Sequence, residues 1–107
     1  MMFDELVEAL QSIGLPLAYD HFAEGDSPAP PFLIFLFPRT DHFIADDSVY
    51  QKITEVDIEL YSDYKDPELE RRVEAALDSR GIVYERSETW IPEEKLYEIL
   101  YECEELM

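Results

Sequence analysis

Two dipeptides place a histidine beside an aspartate, Asp20-His21 and Asp41-His42, and Asp46 and Asp47 lie close to the second pair. Imidazole and carboxylate together can hold a divalent cation. Sites built on local sequence, however, carry their ligands at fixed offsets, such as two histidines one helical turn apart, a cysteine pair, or an aspartate-rich loop with a central glycine and a closing glutamate. None of these patterns occurs here. The expectation is therefore two loop histidines in acidic surroundings, with no metal and no cofactor. Such a surface would attract Ca²⁺ or Mg²⁺ only weakly and without specificity.

Nucleophilic chemistry has no better support. Ser12, Ser27, Ser48, Ser62, Ser79 and Ser87 include no Gly-x-Ser-x-Gly elbow. Cys103 lies beside Glu102, Glu104 and Glu105. That negative surrounding raises a thiol pKa and suppresses the reactive thiolate, so Cys103 is read as a small buried hydrophobe. Gly14, Gly25 and Gly81 are too few and too scattered for a phosphate-cradling loop. Glu55, Asp57 and Glu59 alternate along one segment and could pair as general acid and base, but nothing apolar or cationic is evidently placed to split their pKa values. They read as a solvated strand face, and the chain does not read as an enzyme.

Two apolar pairs stand out for recognition instead. Trp90 and Ile91, next to Pro92, form an apolar tip between the last two strands. The tip is either a plug for the end of the core or an interface anchor, since tryptophan is enriched where binding energy concentrates. Phe43 and Ile44 lie in a stretch rich in aspartate, and apolar residues exposed at a loop tip mark a partner surface.

The elements that position these residues follow from periodicity. Phe3, Leu6, Val7, Leu10 and Ile13 recur at three- and four-residue spacing, which predicts a helix over 3–13 stopped by Gly14. Pro16 forces an extended exit into a short strand at 17–19. The stretch from Glu24 to Pro31 is a loop with polyproline character. Residues 32–37, six apolar residues between prolines, predict a strand buried on both faces. Residues 38–51 show no steady period and read as a long loop, of the kind that is functional or mobile. In 53–61 Val56, Ile58 and Leu60 alternate with Glu55, Asp57 and Glu59, which predicts a strand with one core face and one wet face. Asp66 caps a second helix with Pro67 at its first position, Leu69, Val73, Ala76 and Leu77 as its apolar stripe, and Gly81 beyond its end. Residues 82–86 return as a strand. The last segment, 95–103, fits a helix through Leu96, Ile99, Leu100 and Cys103, or a strand through Tyr97, Ile99, Tyr101 and Cys103. Strand is preferred because two tyrosines and an isoleucine on one face suit a pleated surface. The expected architecture is a single α+β domain over 1–107, in the order α-β-β-β-α-β-β, with two helices packed on an antiparallel or mixed sheet.

Composition bounds the function. The 107 residues carry 26 Asp and Glu against 8 Lys and Arg, a formal net charge of −18. Duplex binding by phosphate neutralisation needs basic patches and is disfavoured. The apolar content of 47% is too high for charge to keep the chain unfolded, so a core is expected. A lone cysteine forms no internal disulfide, which fits a reducing compartment. The longest apolar run, 30–38, is far short of the ~20 residues that span a bilayer. The start of the chain shows no basic region followed by an apolar stretch of the secretory kind. The expectation is a cytoplasmic protein with no membrane contact.

Several strings then bear on identity: Leu15-Pro16-Leu17-Ala18-Tyr19-Asp20-His21-Phe22, Ala45-Asp46-Asp47 leading to Tyr50, Ile58-Glu59-Leu60-Tyr61 with Lys65-Asp66, and Glu93-Glu94-Lys95-Leu96-Tyr97-Glu98. In this order and spacing, over roughly residues 3 to 105, the chain resembles small phage and prophage proteins of Gram-positive bacteria, described as minor capsid, head-tail joining or tail-completion proteins. The resemblance implies a virion structural protein with an α+β fold, made in the cytoplasm and acting where the tail meets the capsid connector. It implies tail or connector proteins as partners and a ring of copies, commonly a hexamer, as in tail terminators. It carries over no catalytic residue, and no motif fixes the ring contacts. Glu55, Asp57 and Glu59 would suit a lumen that repels DNA. An acidic DNA mimic, whose carboxylates imitate phosphates to occupy a nucleic-acid enzyme, is the competing class.

Overall fold

The computed structural model describes residues 3–23, 25, 28–38, 40–45 and 49–106, with residues 3, 40–45, 49–54 and 105–106 described by their backbone. Helix α1 (Phe3–Gln11) turns its apolar stripe inward through Leu6 and Leu10, with Ile13 buried just beyond its end. Gly14 has φ of +87°, which a side chain would resist, and there the chain reverses. Strand β1 (Leu17–Tyr19) leads by a long loop to β2 (Phe32–Leu36). Strands β3 (Thr40–Ala45) and β4 (Val49–Ser62) follow, then α2 (Pro67–Asp78), β5 (Tyr84–Ile91) and β6 (Leu96–Leu106). The Asp66 side chain accepts from the Leu69 backbone N–H at 3.2 Å, the helix cap that Asp66-Pro67 foretold.

One mixed sheet carries the strands in the order β1-β2-β4-β6-β5, with β3 also paired to β4. Strands β1 and β2 run parallel, and every other pairing is antiparallel. Both helices lie on one face. Leu6, Leu10, Leu69, Val73 and Leu77 pack there onto Leu33, Phe35, Val56, Ile58, Leu60, Ile99 and Tyr101, all buried. The α+β architecture and the expected order are present, with one further strand inserted after the second. The last segment is a strand: Tyr97, Ile99, Tyr101 and Cys103 take the helix side, and Cys103 is buried.

Three expectations need correction. Residues 38–51 are not a long loop, because they supply β3 and the start of β4. The register explains why the period was hidden. Leu36 sits opposite Asp57 and Thr40 opposite Thr54, so the even positions of β2 and of β3 lie opposite different parities of β4. Strand β2 ends at Leu36 and β3 begins at Thr40, with Pro38, which cannot donate to a ladder, between them, and across this break the parity that lies opposite the core positions of β4 is reversed. Residues 32–37 are not buried on both faces either. Phe32, Leu33 and Phe35 are buried while Ile34 and Leu36 are half-buried, because helices cover one side only. Trp90 is not a hairpin tip. It lies within β5 opposite Tyr97, and the turn is formed by 92–95, where Lys95 takes positive φ.

Candidate functional site

The sheet face away from the helices is built by strand parity. Because Val56, Ile58 and Leu60 fill the core, Glu55, Asp57 and Glu59 must stand on the opposite face. The register then adds carboxylates that the sequence reading did not gather. Asp57 lies opposite Glu102, which lies opposite Glu85, and Glu55 lies opposite Glu104. These five acidic residues line a trough of about 530 Å³ together with Val83, Tyr84 and Cys103. Like charges directly across a ladder repel, so this end of the face works against the sheet that carries it. Among the described residues no group of three His, Cys, Asp or Glu side chains is disposed to hold a metal ion. The signal for the added acids was Glu98, Glu102 and Glu104 at even spacing, readable only once the last segment is a strand.

Toward the other end the same face becomes apolar. Phe32 stacks on Tyr61 with ring centres 5.2 Å apart and is itself covered edge-on by Phe22 at 5.4 Å. The Tyr61 hydroxyl lies 2.7 Å from Glu98 Oε2 and 3.0 Å from Glu59 Oε1. Burial raises the Glu59 pKa, the Tyr61 hydrogen bond works against that rise, and Glu98, Asp57 and Asp20 add to it. Burial also pushes the Tyr61 phenol upward, as do the two carboxylates. The sequence reading saw nothing to set Glu59 apart from its neighbours; burial is what does so, against the opposing Tyr61 hydrogen bond. Between the two ends, Ile34, Leu36 and Leu100 are half-buried with no helix over them.

The other predicted residues are dispersed. His21 Nδ1 is 2.9 Å from Asp20 Oδ2 at an exposed site. His42, Phe43 and Ile44 lie in β3 opposite Lys52, Gln51 and Tyr50. Their side chains lie outside the described residues, so the suggested joint site of His21 and His42 and the exposure of Phe43 and Ile44 are not addressed there. Trp90 is 45% exposed, yet its ring lies 4.7 Å from that of Tyr97, so it both packs and presents a surface. Ile91 pairs with Leu96 and is half-buried.

On the helix side sits an ion-pair cluster that no motif announced. Glu70 is 6% exposed. It receives Lys65 Nζ at 2.7 Å and the Arg86 guanidinium, which also reaches Glu88 at 3.2 Å and Glu74 at 3.6 Å. The Tyr101 hydroxyl donates to Glu74 at 2.8 Å. Burial raises the Tyr101 pKa, and this hydrogen bond raises it further. These groups fasten α2 to β5 and β6. Their trace in the sequence was slight: Glu70 and Glu74 one turn apart, and Arg86 at a core-facing position of a strand.

No protein-family model matches the chain, and no curated protein matches it in sequence. The fold, in contrast, has a clear counterpart. It superposes on a chain from the solved structure titled "Virion of native gene transfer agent (GTA) particle" with a TM-score of 0.62. The match covers 97% of this chain and 89% of that chain at 11% sequence identity. At that identity the likeness is one of fold.

Proposed function

We propose that this chain is a structural protein of a phage-like virion, acting as a tail-completion or tail-terminator-like subunit at the head-tail joint. The observation that carries the reading is the fold shared over nearly the whole length with a chain of a gene transfer agent virion. It agrees with the phage and prophage proteins that the sequence strings resemble. The chain works as one domain, by fitting against other tail or connector proteins and against its own copies, without catalysis and without a cofactor. A ring, commonly hexameric in such proteins, is the expected assembly. Phe43, Ile44, Trp90 and Ile91 are its contact residues. Glu55, Asp57 and Glu59, joined by Glu85, Glu102 and Glu104, turn toward the channel and repel the DNA that passes through. The chain makes no direct nucleic-acid contact and no membrane contact. It is assembled in the cytoplasm and carried in the virion.

Mass spectrometry of purified particles from cells that encode the chain tests this reading. The chain is expected at a fixed low copy number beside tail and connector proteins. Particles that lack it altogether would contradict the assignment. The acidic trough also favours a second reading, a DNA mimic. That reading predicts stoichiometric competition with DNA for a basic enzyme and no place in the particle.

A further inference from the structure

Strand β5 closes one side of the sheet and pairs only with β6 among the described residues. Its outer edge presents a row of backbone N–H and C=O groups, a template on which another strand can pair. Proteins blunt such edges with short strands, proline or bulges. The opposite side of this sheet is broken between β1, three residues long, and β3. Strand β5 has none of these devices. It runs eight residues without proline, and its register against β6 advances one for one from Tyr84–Cys103 to Ile91–Leu96. Residues 85–90 are all exposed, which leaves room beside the strand.

The charges along β5 decide what fits there. A two-fold axis normal to the sheet sets β5 antiparallel to a second β5 and keeps each sheet face continuous, so residues directly opposite share a parity. Centred on Glu85, Arg86 or Glu88, such a pairing sets that charge against its own copy, which is destabilising. Centred on Thr89, the overlap shrinks to 87–91 and leaves Arg86 outside it. Centred on Ser87, the overlap runs over 84–90: Ser87 meets Ser87, Arg86 meets Glu88, Glu85 meets Thr89, and Tyr84 meets Trp90. The Arg86 guanidinium and Glu88 Oε1 of one strand are already 3.2 Å apart. Around this axis the two arginines and two glutamates alternate in sign, so every charge gains an opposite neighbour. Trp90, 45% exposed and set against Tyr97 on one side, meets the Tyr84 ring of the second copy on the other.

We infer that the free chain pairs with a second copy of itself along β5, antiparallel and centred on Ser87, so that two sheets become one. The contact is isologous and closes at two copies. It does not rest on the ring reading, because a closed two-fold contact does not propagate around a ring. It describes the subunit before assembly. A copy held this way has Trp90 covered, and the edge must open before Trp90 can meet a ring neighbour.

Single cysteines in the full chain test the register. Ser87→Cys faces its own copy across the axis, at a strand separation a disulfide can span. Glu85→Cys and Thr89→Cys each face a residue of the other type. Mild oxidation followed by non-reducing electrophoresis should give a covalent dimer for Ser87→Cys, little for either of the others alone, and a dimer again when those two are mixed. The parent chain, whose Cys103 is buried, is the control. A charge repair supplies an independent measurement. Thr89→Glu sets two glutamate pairs across the contact and should weaken dimerisation at least tenfold in sedimentation equilibrium, and adding Glu85→Lys should restore it. Circular dichroism establishes that each variant is folded. A parent chain that sediments as a monomer at high micromolar concentration overturns the inference. So does equal crosslinking at 85, 87 and 89 in the single variants, or a Thr89→Glu dimer as tight as the parent.

Discussion

Tyr61 and Glu98 are joined across β4 and β6 by a 2.7 Å contact between the phenol oxygen and Glu98 Oε2, while Glu59 approaches the same oxygen at 3.0 Å. One phenol carries one proton and cannot donate to two carboxylates at once. Burial disfavours the ionised form of Glu59 and the Glu98, Asp57 and Asp20 charges add to this, outweighing the opposing Tyr61 hydrogen bond, so the Glu59 pKa is raised. The consequence for stability has a definite sign. A carboxyl that binds its proton more tightly folded than unfolded stabilises the fold below the ordinary carboxylate range. That contribution is lost as pH rises through the raised value. Chemical unfolding followed from pH 4 to pH 8 should show this loss in the parent chain. Glu59→Gln should flatten it and gain stability at neutral pH, by no more than about 1 kcal/mol because water screens a half-exposed group. A steeper pH dependence in the variant would refute the raised Glu59 pKa.

Arg86 faces the opposite test. It is one of two cations on the buried Glu70 carboxylate, the other being Lys65. Removing one partner of a buried pair leaves charge uncompensated, so Arg86→Met should cost about 2–3 kcal/mol in urea unfolding. Adding Glu70→Leu should recover much of that loss, since an apolar pair of similar volume often replaces a buried ion pair without penalty. Loss that simply doubled in the double variant would show the two residues acting independently.

Replacing Phe43 and Ile44 together with Ser should abolish assembly and leave unfolding almost unchanged, because β3 lies against β4 and against no other element to a comparable extent. Trp90→Ala separates its two roles. Its ring packs on Tyr97 at 4.7 Å, so the variant should lose about 1–2 kcal/mol of stability as well as weaken contact with a partner. Light scattering together with thermal unfolding distinguishes these outcomes.

Assembly should strengthen as salt rises from low to moderate concentration. Each copy carries −18, and screening shortens the range of that repulsion to about 10 Å at 0.1 M. Dynamic light scattering across a salt series reads this directly. Assembly that weakened with salt would mean attraction between opposite charges outweighs repulsion at the interfaces.

Much of the architecture was legible because it rests on local physics. Asp66-Pro67 announced α2, Gly14 stopped α1, and the alternation through Val56, Ile58 and Leu60 declared both a strand and its core face. What stayed hidden required knowing which strands meet. The break between Leu36 and Thr40, with Pro38 inside it, changes the parity from β2 to β3, so the hairpin looked like an aperiodic loop. The carboxylate rows depend on Asp57 meeting Glu102 and Glu102 meeting Glu85, a register that no single segment encodes. The Tyr61–Glu98 tie and the Arg86–Glu70 pair likewise join residues 37 and 16 positions apart. The acidic face was visible in part through Glu55, Asp57 and Glu59, and its width came from strands whose pairing is a tertiary fact.

Electron microscopy of particles made with and without this chain tests the central claim most directly. With its coding sequence deleted, filled heads and unattached tails should accumulate, and supplying the chain in trans should rejoin them. Intact tailed particles in its absence would contradict a structural role at the joint.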